Sequence, residues 1–255
     1  MVKFMKTELN VICDIAEQML KSGAETYRVE DSLYRMCIAI GAKRADVFII
    51  TSSIVVTVYL ENERAYTQTR RINSIDTNME KLHRLNAFCR KICNGGIPLE
   101  KLKEEYVSAV NIPSYPLWLE FLSYGFIGLC FCAFFGGGLV EALLSFVVGT
   151  TLRLIVLVCD KFTIGKIFTR FSCSFVATLL AYLFYSLKFI STPDFIIIGN
   201  IMVLIPGIGL TNALCDLFAG DSIAGILRFI EAILIALSIA AGYFLFVTFF
   251  KGVLI

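Results

Sequence analysis

From Leu117 onward, long apolar stretches dominate the chain, and they limit its fold more than any other sequence feature. A helix needs about 20 mostly apolar residues to cross about 30 Å of hydrocarbon. Five stretches approach that length: 117–135, 139–158, 171–187, 195–210 and 229–249. An open strand edge would leave backbone groups unsatisfied in lipid, so helices are the expected form. The sequence therefore predicts an α-helical integral membrane protein with about five transmembrane helices.

The charged residues are concentrated in the first half of the chain. Residues 1–116 hold 16 Lys and Arg and 14 Asp and Glu, whereas residues 117–255 hold 7 of each class. The first half therefore has the composition of an ordinary water-soluble domain, and Pro113 and Pro116 mark its end. We predict an α+β domain over 1–113 and a transmembrane domain over 114–255.

Helical spacing of apolar residues predicts four helices in the first domain. The second is ended by Gly41 and the third by Gly95-Gly96. A fourth is expected to start at Pro98, with Leu99 among its inward residues. Between the first two helices, Ser22-Gly-Ala-Glu25 has the form of a capping box, in which each end residue would bond to the amide of the other.

Three β-branched runs lie between the second and third helices. They predict a small antiparallel meander with a turn near Glu61-Asn62-Glu63. The runs are Val47–Ile50, Ile54–Leu60 and Ala65–Arg71. With about 110 residues, this α+β unit is large enough to bury a core of its own.

The lysines and arginines near the apolar stretches predict the orientation of the chain in a membrane. Lys161, Lys166 and Arg170 lie between the second and third stretches, whereas 136–138 carries no charge. Positive residues stay on the cytoplasmic side, so the N-terminal domain is expected to be cytoplasmic. Five spans then place the C-terminus outside, and the segment 211–228 is expected to be a cytoplasmic loop.

The segment 199–231 carries the most informative polar residues of the second half. Pro206, Gly207 and Gly209 lie within an apolar run, where they predict an interrupted membrane helix of the kind that forms transporter sites. The second half-helix would begin near Thr211-Asn212 and direct its positive end at a carboxylate.

Acidic and basic side chains follow this interruption. Asp216 is a candidate to hold an ammonium group or a proton, and Asp221, Arg228 and Glu231 follow at a helix entrance. The alternative is that the Pro-Gly pair only ends the fourth span. Asp216 and Asp221 would then lie in a solvated loop, and Arg228 would anchor the fifth span.

Three more polar residues lie within the apolar stretches. Glu141 begins the second stretch, and Arg153 lies in its second half, where a charge is costly unless it pairs or reaches the interface. Asn200 is placed to form a hydrogen bond across helices, and we expect its role to be structural. All three are retained as candidates for a substrate or proton pathway.

The sequence argues against enzymatic, cofactor-dependent and nucleic-acid-binding functions. Gly220-Asp221-Ser222 resembles the opening of a hydrolase motif, but that chemistry needs a downstream histidine, and the only histidine is His83. There is no HExxH motif, no phosphate-binding loop and no CxxC pair among the nine cysteines. The net charge is only +2. We predict no catalytic residues, no cofactor, no metal and no nucleic-acid partner.

A charged motif opens the second helix of the soluble domain. The stretch Ser22–Asp31 concentrates its charges in one turn region. Two further residues of the motif, Arg70 and Asp76, lie in the third β-branched run and shortly after it. The complete set is Ser22, Glu25, Arg28, Glu30, Asp31, Arg70 and Asp76. One interpretation is helix capping and pairing on a solvated helix. The other is a docking or gating face at the mouth of the membrane domain.

These motifs resemble those of the threonine/serine exporter (ThrE) family. Ser22–Asp31 matches its Ser-Gly-Ala-Glu-Thr-x-Arg-Val-Glu-Asp-like motif, and Thr69-Arg70 with Ile75-Asp76 matches a second pattern. The stretch Pro206–Gly225 matches the signature of the family's last two spans, although Cys215 stands where relatives often carry arginine. The order and spacing hold over essentially the whole chain.

The resemblance implies a multi-pass exporter in the bacterial cytoplasmic membrane. The length is similar to the split form of the family, in which a YjjP-like subunit works with a shorter YjjB-like membrane subunit. A homo-oligomer is an alternative assembly. The implied cargo is a small carboxylate-bearing metabolite, either threonine and serine or a dicarboxylate such as succinate.

Two hypotheses about function follow. In the first, the chain is half of a secondary exporter, with the substrate carboxylate near Gly209–Asn212 and a proton or ammonium on Asp216, Asp221 or Glu231. In the second, the chain is a regulatory or scaffold subunit whose soluble domain senses a ligand while a partner transports.

Overall fold

The computed structural model describes residues 2–61, 64–98, 101–113, 115–250 and 252. Asn62 and Glu63 of the expected turn, Leu99 of the expected fourth helix and the C-terminal Lys251 lie outside the described residues. The chain forms two units, one of Met1–Pro113 with Ile208–Ile230 and one of Ser114–Gly207 with Glu231–Ile255. The segment that follows the predicted interruption therefore packs with the N-terminal residues.

Four helices and a sheet make up the N-terminal part of the first unit. The helices are α1 (Val2–Lys21), α2 (Thr26–Ala39), α3 (Met79–Cys93) and α4 (Leu102–Val110). Apolar residues of α1 recur every three or four positions, so one face of the helix is fully buried against the others. The core includes Ile12, Ile15, Met19, Leu33, Met36 and Leu85. The helix expected from Pro98 begins at Leu102.

The sheet is an antiparallel meander, as predicted from the β-branched runs. Strands β1 (Arg44–Ile50), β2 (Ser53–Tyr59) and β3 (Ala65–Arg71) follow one another in the order β1-β2-β3. The register pairs Val47 with Val56 and Val56 with Gln68. Alternate residues of β2 (Ile54, Val56 and Val58) are buried, so one face of the sheet covers the helical core.

The second unit is built from long apolar helices. They are α5 (Leu117–Phe134), α6 (Leu139–Lys161), α7 (Lys166–Ser186) and the short α8 (Asp194–Met202), joined by the later part of α10 (Ser222–Phe249). Four helices, α5, α6, α7 and α10, are long and apolar enough to cross a membrane. A fifth candidate consists of α8 with α9 (Gly207–Ala219), which are bent by 50° at a short break.

The structure confirms the interruption near Pro206 and corrects its surroundings. The stretch 195–210 is not one helix, because α8 ends at Met202 and α9 begins at Gly207 rather than near Thr211. The loop expected over 211–228 is wrong, since α9 continues to Ala219 and α10 already begins at Ser222. A turn this short is possible because Gly220 adopts a left-handed φ of +98°.

A polar junction joins three helices inside the second unit. Asn200 on α8 is fully buried, and its Nδ2 donates to Ser145 Oγ on α6 at 2.8 Å and to the Ile196 carbonyl at 2.9 Å. Ser145 Oγ in turn donates to the Gly128 carbonyl on α5 at 2.8 Å. Asn200 therefore bonds across helices, as its position in an apolar stretch predicts.

Close packing of α5 on α6 depends on Gly149. A Cβ atom at this position would lie 2.5 Å from the backbone carbonyl oxygen of Tyr124 on α5. That oxygen cannot move without moving the helix. We therefore expect Gly149→Ala to destabilise the protein by about 1–3 kcal/mol, measured as a lower unfolding temperature in detergent.

The matched control is Gly207→Ala. A Cβ there meets no atom within 4 Å, and alanine favours a helix more than glycine does. This variant is expected to be as stable as the parent or slightly more stable. Equal unfolding temperatures for the two variants would contradict the packing argument.

Candidate functional site

The turn between α1 and α2 is shaped by the end of α1. The Gly23 amide bonds to the Leu20 carbonyl at 3.0 Å and the Ala24 amide to the Met19 carbonyl at 3.1 Å, which is the bonding pattern of a Schellman motif. Gly23 has a left-handed φ of +90°. Ser22 therefore closes α1 and does not cap α2, so the predicted capping box is wrong.

The first amides of α2 are satisfied from a distant part of the chain. Glu25 is the N-cap residue, but its side chain makes no capping bond and pairs with Arg28 at 3.1 Å. Asp216 Oδ1 on α9 instead accepts from the Thr26 amide at 2.8 Å and from the Tyr27 amide at 3.4 Å. A carboxylate 190 residues along the chain thus performs the capping function.

Two more side chains from the same segment bind this turn. Arg228 Nη2 on α10 donates to the Ala24 carbonyl at 2.9 Å and to Thr26 Oγ1 at 3.2 Å. Asn212 Nδ2 on α9 donates to the Gly23 carbonyl at 2.8 Å. We refer to Asn212, Asp216 and Arg228, bound to residues 23–27, as the turn clamp.

An ion pair lies at the centre of the turn clamp. Arg228 Nε is 3.4 Å from Asp216 Oδ2, and the two side chains are 7% and 0% exposed. This contact is one between opposite charges, since Arg228 Nε does not form a hydrogen bond with Asp216 Oδ2. The positive end of α2 adds further stabilisation to the buried carboxylate.

The local sequence explains how α9 and α10 present these three residues. Asn212 and Asp216 are four residues apart, so they lie on one face of α9. Beyond the turn, a Cβ at Gly225 would lie 2.7 Å from the Leu217 side chain and 3.0 Å from the Ala213 carbonyl oxygen. Only glycine therefore lets the two helices approach closely enough for Arg228 to reach Asp216.

An acidic cleft of about 540 Å³ lies in the same unit. Its lining includes Tyr27, Glu30, Asp31, Tyr34, Asp46 and Asp221. Asp31 pairs with Arg35 and Asp46 with Arg44, each at 2.9 Å. No group of three or more metal-ligating side chains suited to a metal ion occurs in the part of the chain that the structure describes.

Two carboxyl groups of this cleft hold their protons more tightly than usual. Burial raises the pKa of Glu30, and the nearby charge of Asp221 raises it further. Burial likewise raises the pKa of Asp221, and Asp216 adds to the effect. Both groups are only half-buried. They are therefore candidates for proton exchange near the turn clamp.

Arg70 and Asp76, the remaining residues of the soluble motif, make other contacts. Arg70 on β3 pairs with Asp14 of α1 at 2.9 Å. The Asp76 amide bonds to the Lys21 carbonyl at 3.0 Å, and its side chain accepts from the Thr77 amide. The Asp76 carbonyl oxygen would lie 3.0 Å from a Cβ at Gly23. This close approach is a second reason for glycine in the turn.

Three candidates for a substrate or proton pathway in the second unit are Arg153, Glu141 and Glu231, and each has its own surroundings. Arg153 Nε donates to Glu120 Oε2 at 2.9 Å, and its guanidinium lies 5.7 Å from the Tyr124 ring centre. Sequence reasoning missed Glu120, although a lone acid in the first stretch and a lone arginine in the second indicated a pair. Glu141 is half-buried in the first turn of α6, and Glu231 is exposed on α10.

The interruption itself exposes the start of α9. Pro206 lies in the break between α8 and α9, and Gly207 is the first residue of α9. Gly209 is exposed in the first turn of that helix. Ser222, the residue of the hydrolase-like motif, is the exposed first residue of α10.

The ion pair of the turn clamp generates a stability prediction. Asp216→Asn leaves Arg228 buried without its counter-charge, so we expect a loss of about 3–5 kcal/mol. The double variant Asp216→Asn with Arg228→Met removes both charges and should recover part of that loss. Unfolding in detergent, followed by circular dichroism, measures both.

An exposed ion pair supplies the control. Asp31 and Arg35 are 2.9 Å apart, and their side chains are more than half exposed. Asp31→Asn is expected to cost less than about 1 kcal/mol. If Asp216→Asn costs no more than Asp31→Asn, the clamp does not hold the turn.

The raised pKa of Asp221 generates a pH prediction. The folded protein holds this proton at a pH where the unfolded chain has lost it, so its contribution to stability is present near pH 4 and falls as the pH rises through the raised value. Asp221→Asn removes the charge. We therefore expect a higher unfolding temperature than the parent at pH 7 and a difference that shrinks toward pH 4. A difference that is equal at both pH values would contradict the assignment.

Three comparisons place the chain among known proteins. A family model described as "Putative threonine/serine exporter" (ThrE) matches residues 10–250. "Probable succinate transporter subunit YjjP" of Klebsiella aerogenes is 27% identical over 92% of this chain and 90% of its own length. The protein of the same name from Escherichia coli K12 is 25% identical, over 92% and 91%.

A longer relative and the solved structures complete the comparison. "Threonine/serine exporter" of Corynebacterium glutamicum is 25% identical over 92% of this chain but only 49% of its own length. This chain therefore corresponds to about half of that relative. No solved structure matches the chain.

Proposed function

Because the chain belongs to the threonine/serine exporter (ThrE) family, we propose that it is a membrane subunit of a secondary exporter of small polar metabolites. The family and the named relatives are transporters, so the prediction that the chain is not an enzyme is confirmed. The candidate cargoes are threonine and serine or a dicarboxylate such as succinate. Each carries a carboxylate, and an ion gradient would drive its movement.

The proposed assembly includes a shorter, YjjB-like membrane subunit. The word "subunit" in the names of two relatives supports this assembly. So does the length of the Corynebacterium glutamicum relative, of which this chain covers 49%. A second copy of the chain is the alternative partner. The proposed location is the bacterial cytoplasmic membrane, with the N-terminal domain in the cytoplasm, because Lys161, Lys166 and Arg170 crowd the connection of α6 to α7.

The turn clamp is the observation that carries the proposal. It joins the two sequence motifs that resemble the family, Ser22–Asp31 and Pro206–Gly225, in one buried polar cluster. Asn212 and Asp216 belong to α9, the helix that follows the interruption. A movement of α9 during transport would therefore move the amino end of α2 with it. In this proposal the N-terminal domain responds to, or controls, the interrupted helix.

In this proposal the transport path uses the start of α9 and acidic residues that follow it in the chain. The amides in the first turn of a helix lack intrahelical acceptors, so the start of α9 near Gly209 suits a substrate carboxylate. Asp221 and Glu231 are the residues proposed to carry a proton or to bind an ammonium group. Asp216 has a narrower role, because its carboxylate already binds two backbone amides and Arg228.

The acidic cleft favours a second candidate function. A regulatory subunit needs a ligand site on its soluble part, and the cleft lined by Glu30 and Asp221 is such a space. In that case a partner would perform the transport. Reconstituting the partner alone separates the two functions, since a regulated partner keeps a basal export that a half-transporter lacks.

Efflux from liposomes tests the proposed function. Liposomes loaded with labelled L-threonine, L-serine or succinate are expected to release one of them when this chain and the shorter subunit are both present. Asp221→Asn should lower that efflux at least tenfold. Because we expect this variant to be more stable than the parent at pH 7, the loss cannot be assigned to misfolding.

Asp160→Asn is the matched control for this variant. Asp160 is an exposed carboxylate in the last turn of α6, and its replacement is expected to leave efflux unchanged. Unchanged efflux in Asp221→Asn would remove Asp221 from the path. A parent protein that releases none of the three compounds, with or without the partner, would contradict the proposed function.

A further inference from the structure

A second cleft, of about 490 Å³, lies within the second unit where α6 begins and α7 ends. It is lined by Val140 and Glu141 of α6, Tyr185 and Ser186 of α7, and Lys188 to Ser191 of the following turn. These residues lie at the opposite end of α6 and α7 from the basic connection that contains Lys161 and Lys166. The cleft is therefore at the other membrane face of this helical unit.

One carboxylate and one ammonium group line this cleft. They belong to Glu141 and Lys188. No ion pair or side-chain hydrogen bond of either residue occurs in the part of the chain that the structure describes. Arg153 and Glu120 of the same unit, in contrast, are paired with each other. The cleft thus offers two opposite charges that have no counter-charge among the described residues.

Lys188 occupies a backbone position that normally selects glycine. Its φ is +61°, and its amide bonds to the Tyr185 carbonyl while the Phe189 amide bonds to the Phe184 carbonyl. This is the left-handed residue of a Schellman motif. A side chain there strains the backbone. Glycine would fit this turn with less strain than lysine, so the lysine side chain calls for a use of its ammonium group.

Glu141 presents its carboxylate at the same place. It is the third residue of α6, and its Oε2 lies 2.8 Å from the position that a Cβ at Gly138 would occupy. The carboxylate therefore folds back over the start of the helix, where Gly138 leaves room for it. An acidic side chain in the first turn of α6 interacts favourably with the positive end of that helix.

We propose that this cleft binds a small zwitterion, with an ammonium group on Glu141 and an acidic group on Lys188. The inference rests on the proposed function, because a free zwitterion bound here would identify the exporter's cargo as an amino acid rather than a dicarboxylate. A dicarboxylate would meet one favourable and one repulsive charge here. The hydroxyl groups of Tyr185, Ser186 and Ser191 in the same lining suit a polar amino acid.

The headgroup of phosphatidylethanolamine has the same chemistry as this cargo. It also carries an ammonium and an acidic group, and the cleft lies at the end of apolar helices where headgroups are found. The shared ligand chemistry is therefore a zwitterion. The source, a free amino acid or a lipid, is decided by the membrane in which binding is measured.

Binding of L-threonine to the full-length protein in nanodiscs tests the proposal. In discs of phosphatidylglycerol alone, Lys188→Gly and Glu141→Gln are each expected to weaken L-threonine binding at least tenfold by isothermal titration. Succinate should bind more weakly than L-threonine to the parent. Lys188→Gly relieves the strained turn, so its unfolding temperature is expected to equal or exceed that of the parent. A loss of binding in this variant therefore cannot come from misfolding.

Thr163→Gly is the matched control. Thr163 follows α6 with a φ of +53° and the same pair of backbone bonds, at the opposite end of that helix. Replacing it relieves a similar strain without touching the cleft. L-Threonine binding equal to that of the parent is expected for Thr163→Gly. Parent-like binding in Lys188→Gly or Glu141→Gln, or tighter binding of succinate, would overturn the proposal.

Discs that contain phosphatidylethanolamine identify the source. If the headgroup fills the cleft, these discs weaken L-threonine binding to the parent, and purified Lys188→Gly retains less of this lipid; both results support a zwitterion site. The liposome efflux of the parent remains an independent measure. If the variants bind L-threonine like the parent and the parent exports in liposomes, only this site is overturned. If the variants lose L-threonine binding and the parent does not export in liposomes, the site is supported and the proposed function is contradicted.

Discussion

The contact between Asp216 and the amino end of α2 is the constraint on which the rest of this structure depends. A carboxylate without solvent exposure is costly unless each of its oxygens has a partner. Here Oδ1 accepts two backbone amides and Oδ2 faces Arg228. Those partners come from the start of α2 and from α10. The chain can satisfy this group only when residues more than 180 positions apart are folded together.

The same rule separates two kinds of charged residue in the chain. Some are neutralised by the protein, as Asp216 is by Arg228 and Arg153 by Glu120. Others line clefts and lack a partner of opposite charge among the described residues, as do Glu141 and Lys188 in one unit and Glu30 and Asp221 in the other. Paired charges hold the fold together. We propose that the cleft charges without such a partner are the ones that meet a substrate or a proton.

Periodicity and composition predicted the elements of this fold but not their long-range contacts. The three strands, the helices that flank them and the interruption near Pro206 all follow from local pattern. The helix ends around this interruption were predicted wrongly. Only Gly220 and Asp221 separate α9 from α10, where the polar residues had indicated a longer loop. The capping-box prediction was wrong although Ser22 and Glu25 match the residue pattern of that motif. The backbone of this turn instead forms the Schellman bonds that end α1.

The candidate site was predicted in its parts and missed as a whole. Sequence reasoning identified both motifs and named Asn212, Asp216 and Arg228. It assigned Asp216 to a ligand, because nothing local shows that the acceptor of the Thr26 amide lies 190 residues away.

Hydrogen exchange at the start of α2 tests the central claim most directly. The first amides of a helix normally exchange fast, since they have no intrahelical acceptor. With Asp216 as their acceptor, the amides of Thr26 and Tyr27 in the full-length protein in nanodiscs should exchange as slowly as those in the middle of α2. Exchange at the rate of an exposed helix end would show that the clamp does not form in the membrane-embedded protein, and the account built on it would fail.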